Sequence, residues 1–105
     1  MRIETTMKVM ADVCLVPIGV GVSLSKYIKI AFEVLKAANL NATLTPYGTI
    51  IEGEYDDVSR AIKAAIEAVH EAGAPRVTLT IKLGSRTDKE QTTEDKLNSV
   101  LQAKD

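Results

Sequence analysis

Residues 9 to 18 alternate, with Val9, Ala11, Val13 and Leu15 on one side and Met10, Asp12, Cys14 and Val16 on the other. A valine-rich period of two predicts a strand with both faces partly covered, stopped by Pro17 and Gly19. Ile28, Ala31, Phe32 and Leu35 follow at the spacing of one helical face, which predicts an amphipathic helix over residues 25 to 38. Ser23 or Ser25 is the expected N-cap, because a hydroxyl there can accept from the free N–H groups of the first turn. Asn39 and Asn41 mark the exit.

Residues 42 to 47 and 49 to 55 are two β-prone runs joined at Gly48, a hairpin pattern. Pro46 has no N–H to give to a ladder, so the first run belongs at a sheet edge. Asp56 or Asp57 then caps a second helix whose buried stripe is Val58, Ile62, Ala65, Ile66 and Val69; Gly73 and Pro75 end it. Residues 76 to 83 give the cleanest alternation in the chain, Val77, Leu79, Ile81 and Leu83 against Thr78, Thr80 and Lys82. A polar loop follows, and Thr92 to Asp95 has the form of a capping box opening a short helix over about residues 92 to 103. Its stripe of Leu97, Val100 and Leu101 is narrow, so this helix is expected to pack partly on another subunit. Residues 1 to 8 have no assignment.

The order β-α-β-β-α-β becomes a fold through one rule. Strand–helix–strand crossovers are right-handed, and two of them interleaved around a hairpin give an α+β ferredoxin-like sandwich, an antiparallel four-stranded sheet with two helices on one face. The whole chain is then a single domain with its core at about residues 9 to 83, plus the C-terminal helix. The helix-free face should carry Asp12, Cys14, Val16, Thr43, Thr45, Tyr47, Ile50, Glu52, Glu54, Thr78 and Thr80. That mixture is too apolar and too rich in threonine for a bare solvated face, and a second copy is its simplest cover.

Composition narrows the function. The chain has 105 residues, 46% apolar and 26% charged, with a net charge of -1. That balance argues against a dedicated nucleic-acid or anionic-membrane surface, both of which need concentrated Lys and Arg. Cys14 is the only cysteine, so an intrachain disulfide and a multi-Cys metal site are excluded. The longest apolar run, Val13 to Val22, is interrupted by Pro17, Gly19 and Gly21 and falls short of the roughly 20 residues of a membrane span. No apolar signal segment precedes Asp12, so the cytoplasm is the expected compartment.

Chemistry is sparse. The glycine-rich segment Pro17 to Ser25 runs from a strand into a helix N-terminus, a place that suits an anion, but it lacks the third glycine of a dinucleotide loop and the lysine of a P-loop. Caps alone would explain its serines. Glu52 stands mid-strand beside Gly53; a carboxylate there is either a solvated edge group or needs a donor. His70, the single histidine, falls on the wet face of its helix with no serine or cysteine placed to use it. With no acid–base pair, triad or ligand cluster, the chain reads as a binding module, not an enzyme, with no cofactor. An acylphosphatase would want an arginine in residues 18 to 25, and an RNA-binding sheet would want aromatics on its central strands; neither is present.

The segments VPIGVGVSLS, TPYGTIIEGEY and DKLNSV, with PRVTLTIKL between the last two, resemble the thiamine-binding-protein family of the YkoF-like superfamily over residues 9 to about 101. The resemblance implies a ferredoxin-like subunit with an added C-terminal helix. It also implies assembly into a homotetramer, a dimer of dimers, and non-catalytic binding of thiamine or its hydroxymethylpyrimidine moiety. The implied pocket residues are Ser23 and Ser25 after the first strand, and Tyr47, Thr49 and Glu52 on and after the hairpin. Hydroxyls and a carboxylate can satisfy an aminopyrimidine. The competing reading is a regulatory or assembly module with no small-molecule ligand.

Overall fold

The computed structural model describes residues 7–104. Its elements are β1 (Lys8–Ile18), α1 (Ser25–Ala37), β2 (Thr43–Thr45), β3 (Gly48–Glu54), α2 (Tyr55–Glu71), β4 (Arg76–Ser85) and α3 (Thr93–Leu101). The strands form one antiparallel sheet in the order β2-β3-β1-β4, so the two crossovers place β1 and β3 at the centre, as a ferredoxin-like α+β fold requires. Of the N-terminal residues left unassigned in the sequence, residues 1–6 lie outside the described residues, and Lys8 extends β1.

Pairing of Ala11 with Ile51 and Val13 with Thr49 sets the register of the central strands, and Leu15 with Leu79 that of β1 and β4. Side chains alternate across a strand, so these residues face the helices, while Met10, Asp12, Glu52, Ile50, Cys14 and Thr80 face the other way. Val9, Ala11, Val13, Leu15 and Ile51 are buried against Ala31 and Leu35 of α1 and Val58, Ala61, Ile62, Ala65 and Val69 of α2. Ala61 joins the stripe read from sequence, and Ile66 is only half-buried. Fully burying a Val, Leu or Ile contributes about 1.5–3 kcal/mol, so this layer is the main source of stability.

Two of the expected caps are replaced. The N-cap of α1 is Leu24, already near helical conformation at φ -103 and ψ -6, and no side chain caps it. A capping side chain needs an extended residue just before the helix, and neither Ser23 nor Ser25 holds that position. At α2 the chain passes straight from β3 into the helix: Glu54 is the extended N-cap and the N–H of Tyr55 is taken by the Met7 carbonyl at 2.8 Å. Asp56 and Asp57 therefore stand inside the first turn, where their charge still suits the helix dipole. The third cap is as read. Thr92 Oγ1 accepts from the Asp95 N–H at 3.0 Å, and Asp95 accepts from the Thr92 N–H at 3.1 Å.

Candidate functional site: a cavity at the β2–β3 turn

β1 and β3 do not end together. Their pairing stops at Val13 and Thr49, yet β1 continues to Ile18 with only β4 beside it. The missing strand neighbour leaves a notch next to Cys14, Leu15 and Val16. A cavity of about 270 Å³ occupies it, roofed by Leu24, Ile28 and Ala31 of the α1 end and bounded by the turn Thr45 to Thr49. Its lining is mainly aliphatic.

The turn is held tightly. Thr45 pairs with Gly48 across the two residues Pro46 and Tyr47, and Thr45 Oγ1 donates to the Gly48 carbonyl at 3.0 Å. Gly48 lies flat against β1: a β-carbon there would stand 2.6 Å from the Val13 carbonyl oxygen. Only glycine permits that approach, which is the physical reason for the residue between the two β runs.

Thr49 is the buried polar residue among the described residues, 5% exposed. Its parity turns it toward the helices, where it lines the cavity beside Val13. No protein group among the described residues shares a hydrogen bond with its hydroxyl. Nor is the hydroxyl sealed away, because no fully buried side-chain N or O lacks a partner. Thr49 is thus a buried polar residue in the wall of the cavity. Tyr47, 89% exposed, forms the rim.

Of the five residues singled out from sequence, Thr49 and Tyr47 meet at this cavity. Ser23 and Ser25 are exposed on either side of Leu24, at the uncapped start of α1, and do not line it. Glu52 is on the opposite face of the sheet, across from Met10. Its donors are internal: Oε1 accepts from Asn41 Nδ2 at 2.6 Å and Oε2 from the Thr93 N–H at 2.6 Å. The requirement for an outside donor, inferred from the cost of an unpaired carboxylate, is thereby met within the chain.

Sequence reasoning passed over Cys14, Leu24, Ile28 and Leu79 as cavity residues. The alternation that assigned Cys14 to the open face is right, but without a β3 neighbour both sides of β1 border the notch. A signal was present: the first strand runs on well past the point where the run after Gly48 can pair with it.

Charge perturbations lie elsewhere. Arg86 donates to both oxygens of Asp88 and holds its carboxyl down at about 2, while the Thr92 N–H holds the Asp95 carboxyl below its ordinary range. His70 Nδ1 is 2.8 Å from the Ala74 carbonyl, which fixes that nitrogen as the donor and ties down the end of α2. Among the described residues no cluster of His, Cys, Asp and Glu is arranged to hold a metal, and no helix is long and apolar enough to cross a membrane.

The family model for thiamine-binding protein matches residues 11–101. A UPF0045 protein of Synechocystis is 49% identical over 94 residues, covering 90% of this chain and 78% of that protein. A UPF0045 protein of Methanocaldococcus jannaschii is 40% identical, over 89% of this chain and 92% of the relative. A crystal structure of a hypothetical protein from M. jannaschii superposes with a TM-score of 0.85 at 38% identity, covering 91% of this chain and 98% of that one. A Thermotoga maritima structure, described as that of a candidate thiamine biosynthesis/salvage protein, superposes at 0.76 with 22% identity, covering 89% and 98%; at that identity it speaks for the fold alone.

Proposed function

Because the chain belongs to the thiamine-binding protein family, we propose that it binds thiamine, or the hydroxymethylpyrimidine half of it, in the Thr49 cavity without chemical turnover. The observation that carries this reading is Thr49, buried in the wall of a mainly aliphatic cavity, with no hydrogen-bond partner for its hydroxyl among the described residues. A hydroxyl can donate to a ring nitrogen and accept from an exocyclic amine, and an aminopyrimidine offers both. The volume of about 270 Å³ stands just under the roughly 300–1,000 Å³ of drug-sized sites. It suits one substituted ring. The Tyr47 ring at the rim offers a face to the thiazolium cation. Ser23 and Ser25, on the loop at the α1 end, are the outer polar groups of this reading, and Glu52 is its scaffold on the far side of the sheet.

The same reading has the protein acting as a homotetramer, a dimer of dimers, in the cytoplasm, as a carrier, store or sensor and not as a catalyst. Isothermal titration of wild type and Thr49→Val with hydroxymethylpyrimidine and with thiamine is the test. Binding that weakens about tenfold in the variant, at unchanged stability, supports it. No heat and no thermal shift with either compound removes it.

One observation favours the second reading, an assembly module without a ligand. The apolar stripe of α3 is bare, with Leu97 62% and Leu101 80% exposed. A defined oligomer that ignores both compounds would select that reading.

A further inference from the structure

Where β3 ends, the backbone of β1 is left open on one side. In an antiparallel ladder the N–H and C=O of one residue point to the same neighbouring strand, and those of the next residue point the other way. Two observations fix which residues of β1 turn to β3. The Met7 carbonyl accepts from the Tyr55 N–H at 2.8 Å, one step beyond the pair Lys8 and Glu54. The Val13 carbonyl oxygen would stand 2.6 Å from a β-carbon on Gly48, next to its partner Thr49. Odd-numbered residues of β1 therefore turn to β3, and even-numbered ones to β4. Pairing with β4 runs residue for residue from Val9 to Ile18, so the alternation carries unbroken through the end of β1 that β3 does not reach.

Leu15 is the residue this leaves facing the notch. Continued past Val13 and Thr49, the ladder would set Tyr47 opposite Leu15, but Tyr47 belongs to the turn and pairs with no strand. Among the described residues, neither the N–H nor the C=O of Leu15 has a hydrogen-bond partner. Leu15 is nevertheless only 6% exposed, and it lines the cavity. A buried backbone pair of this kind is costly unless something beside it takes both groups. Pro17, the next residue of the same parity, has no N–H, so the open edge offers one donor only.

We propose that the main chain of Leu15 binds the amidine edge of a small planar ring. Its N–H donates to a ring nitrogen, and its C=O accepts from the amine on the adjacent carbon. This rests on the cavity reading above and names the ligand atoms that reading needs. The occupant is a neutral heteroaromatic amine for three reasons. One donor beside one acceptor matches a ring nitrogen beside an amine. Among the described residues no Asp, Glu, Lys, Arg or His lines the cavity, so a charged group inside it would stand unpaired among aliphatic side chains. A space of about 270 Å³ with a single backbone donor holds one ring, whereas an extended peptide would need a continuing ladder. An aminopyrimidine has a second ring nitrogen and a second amine hydrogen, which leaves Thr49 a contact of its own.

The test leaves the backbone intact and varies the ligand. Calorimetry and amide NMR on the full chain compare hydroxymethylpyrimidine with the same compound carrying hydrogen in place of its ring amine. The analogue should bind about tenfold more weakly, because it leaves the Leu15 carbonyl unpaired. With saturating hydroxymethylpyrimidine the Leu15 amide proton should move downfield and gain protection from deuterium exchange. The same response should persist in Thr49→Val, which separates the backbone contact from the hydroxyl. Equal affinity for the two compounds, or a Leu15 amide that does not respond while hydroxymethylpyrimidine binds, overturns the proposal and leaves the cavity reading standing. No binding of either compound overturns both.

Discussion

The Glu52 carboxylate accepts the backbone N–H of Thr93 at 2.6 Å, across 41 residues of sequence. A side chain of a central strand thus holds the first turn of α3 against the helix-free face of the sheet. With Thr92 capping one N–H and Glu52 another, the start of α3 is satisfied twice, while none of its residues is buried. The helix hangs on polar contacts at one end.

Glu52→Gln should therefore act on stability. The amide keeps one acceptor oxygen but loses the charge, and its NH₂ would oppose Asn41 or the Thr93 N–H. Urea unfolding should show a loss of about 1–2 kcal/mol, with pyrimidine affinity in the cavity unchanged. Lower affinity at full stability would place the carboxylate at the ligand instead.

Thr49→Val should do the reverse. Valine keeps the shape and removes a hydroxyl that no group among the described residues uses, so thermal stability should hold or rise by a few tenths of a kcal/mol. Ligand affinity, read by calorimetry, should fall about tenfold. A variant that loses several degrees of Tm would mean that Thr49 serves the core.

Gly48→Ala probes the turn. Its new β-carbon would meet the Val13 carbonyl at 2.6 Å and Asp12 Oδ1 at 2.9 Å, so the hairpin must lift from β1. A cost of about 1–3 kcal/mol is expected, as for other overpacked sites. Cavity binding should weaken with it, since Tyr47 and Thr49 flank the displaced residue. Full stability in chemical denaturation would refute the close approach.

Acid should loosen the loop before α3 only late. The carboxyl of Asp88 is lowered from 3.8 to about 2 by Arg86, so its contribution is complete above pH 3.8 and disappears as pH falls toward 2. Asp95, lowered by the Thr92 N–H, has the same sign. Carbon-detected NMR titration should find Asp88 near 2 in wild type and back near 3.8 in Arg86→Ala. An unchanged midpoint in that variant would show that the pair does not persist in solution.

The element order was legible because each segment carries its own period: two for Val77 to Leu83, and 3.6 for Val58 to Val69. Thr92 could be read as a cap because the whole capping box is local, four residues of sequence with both hydrogen bonds inside it. Ser23, Ser25, Asp56 and Asp57 misled for the opposite reason. Where those helices begin depends on how the preceding strand delivers the chain, and at α2 a contact with Met7 starts the helix before either aspartate.

By itself, then, the sequence determined the strands, the helices and the faces of the sheet, which follow from near-neighbour chemistry and periodicity, and the family through the resemblance of particular segments. Tertiary structure alone decided where the candidate cavity lies. Thr49 and Glu52 fall on opposite faces of one strand, as alternation already says, and the register with β1 sets Thr49 opposite Val13, where the pairing stops and the cavity begins. The cavity exists because β3 starts at Gly48 while β1 runs on to Ile18, an offset set by pairing between strands about 35 residues apart. Glu52 found its donors in the same way, in Asn41 and Thr93, brought to one carboxylate by the packing of β3 and the chain's return after β4.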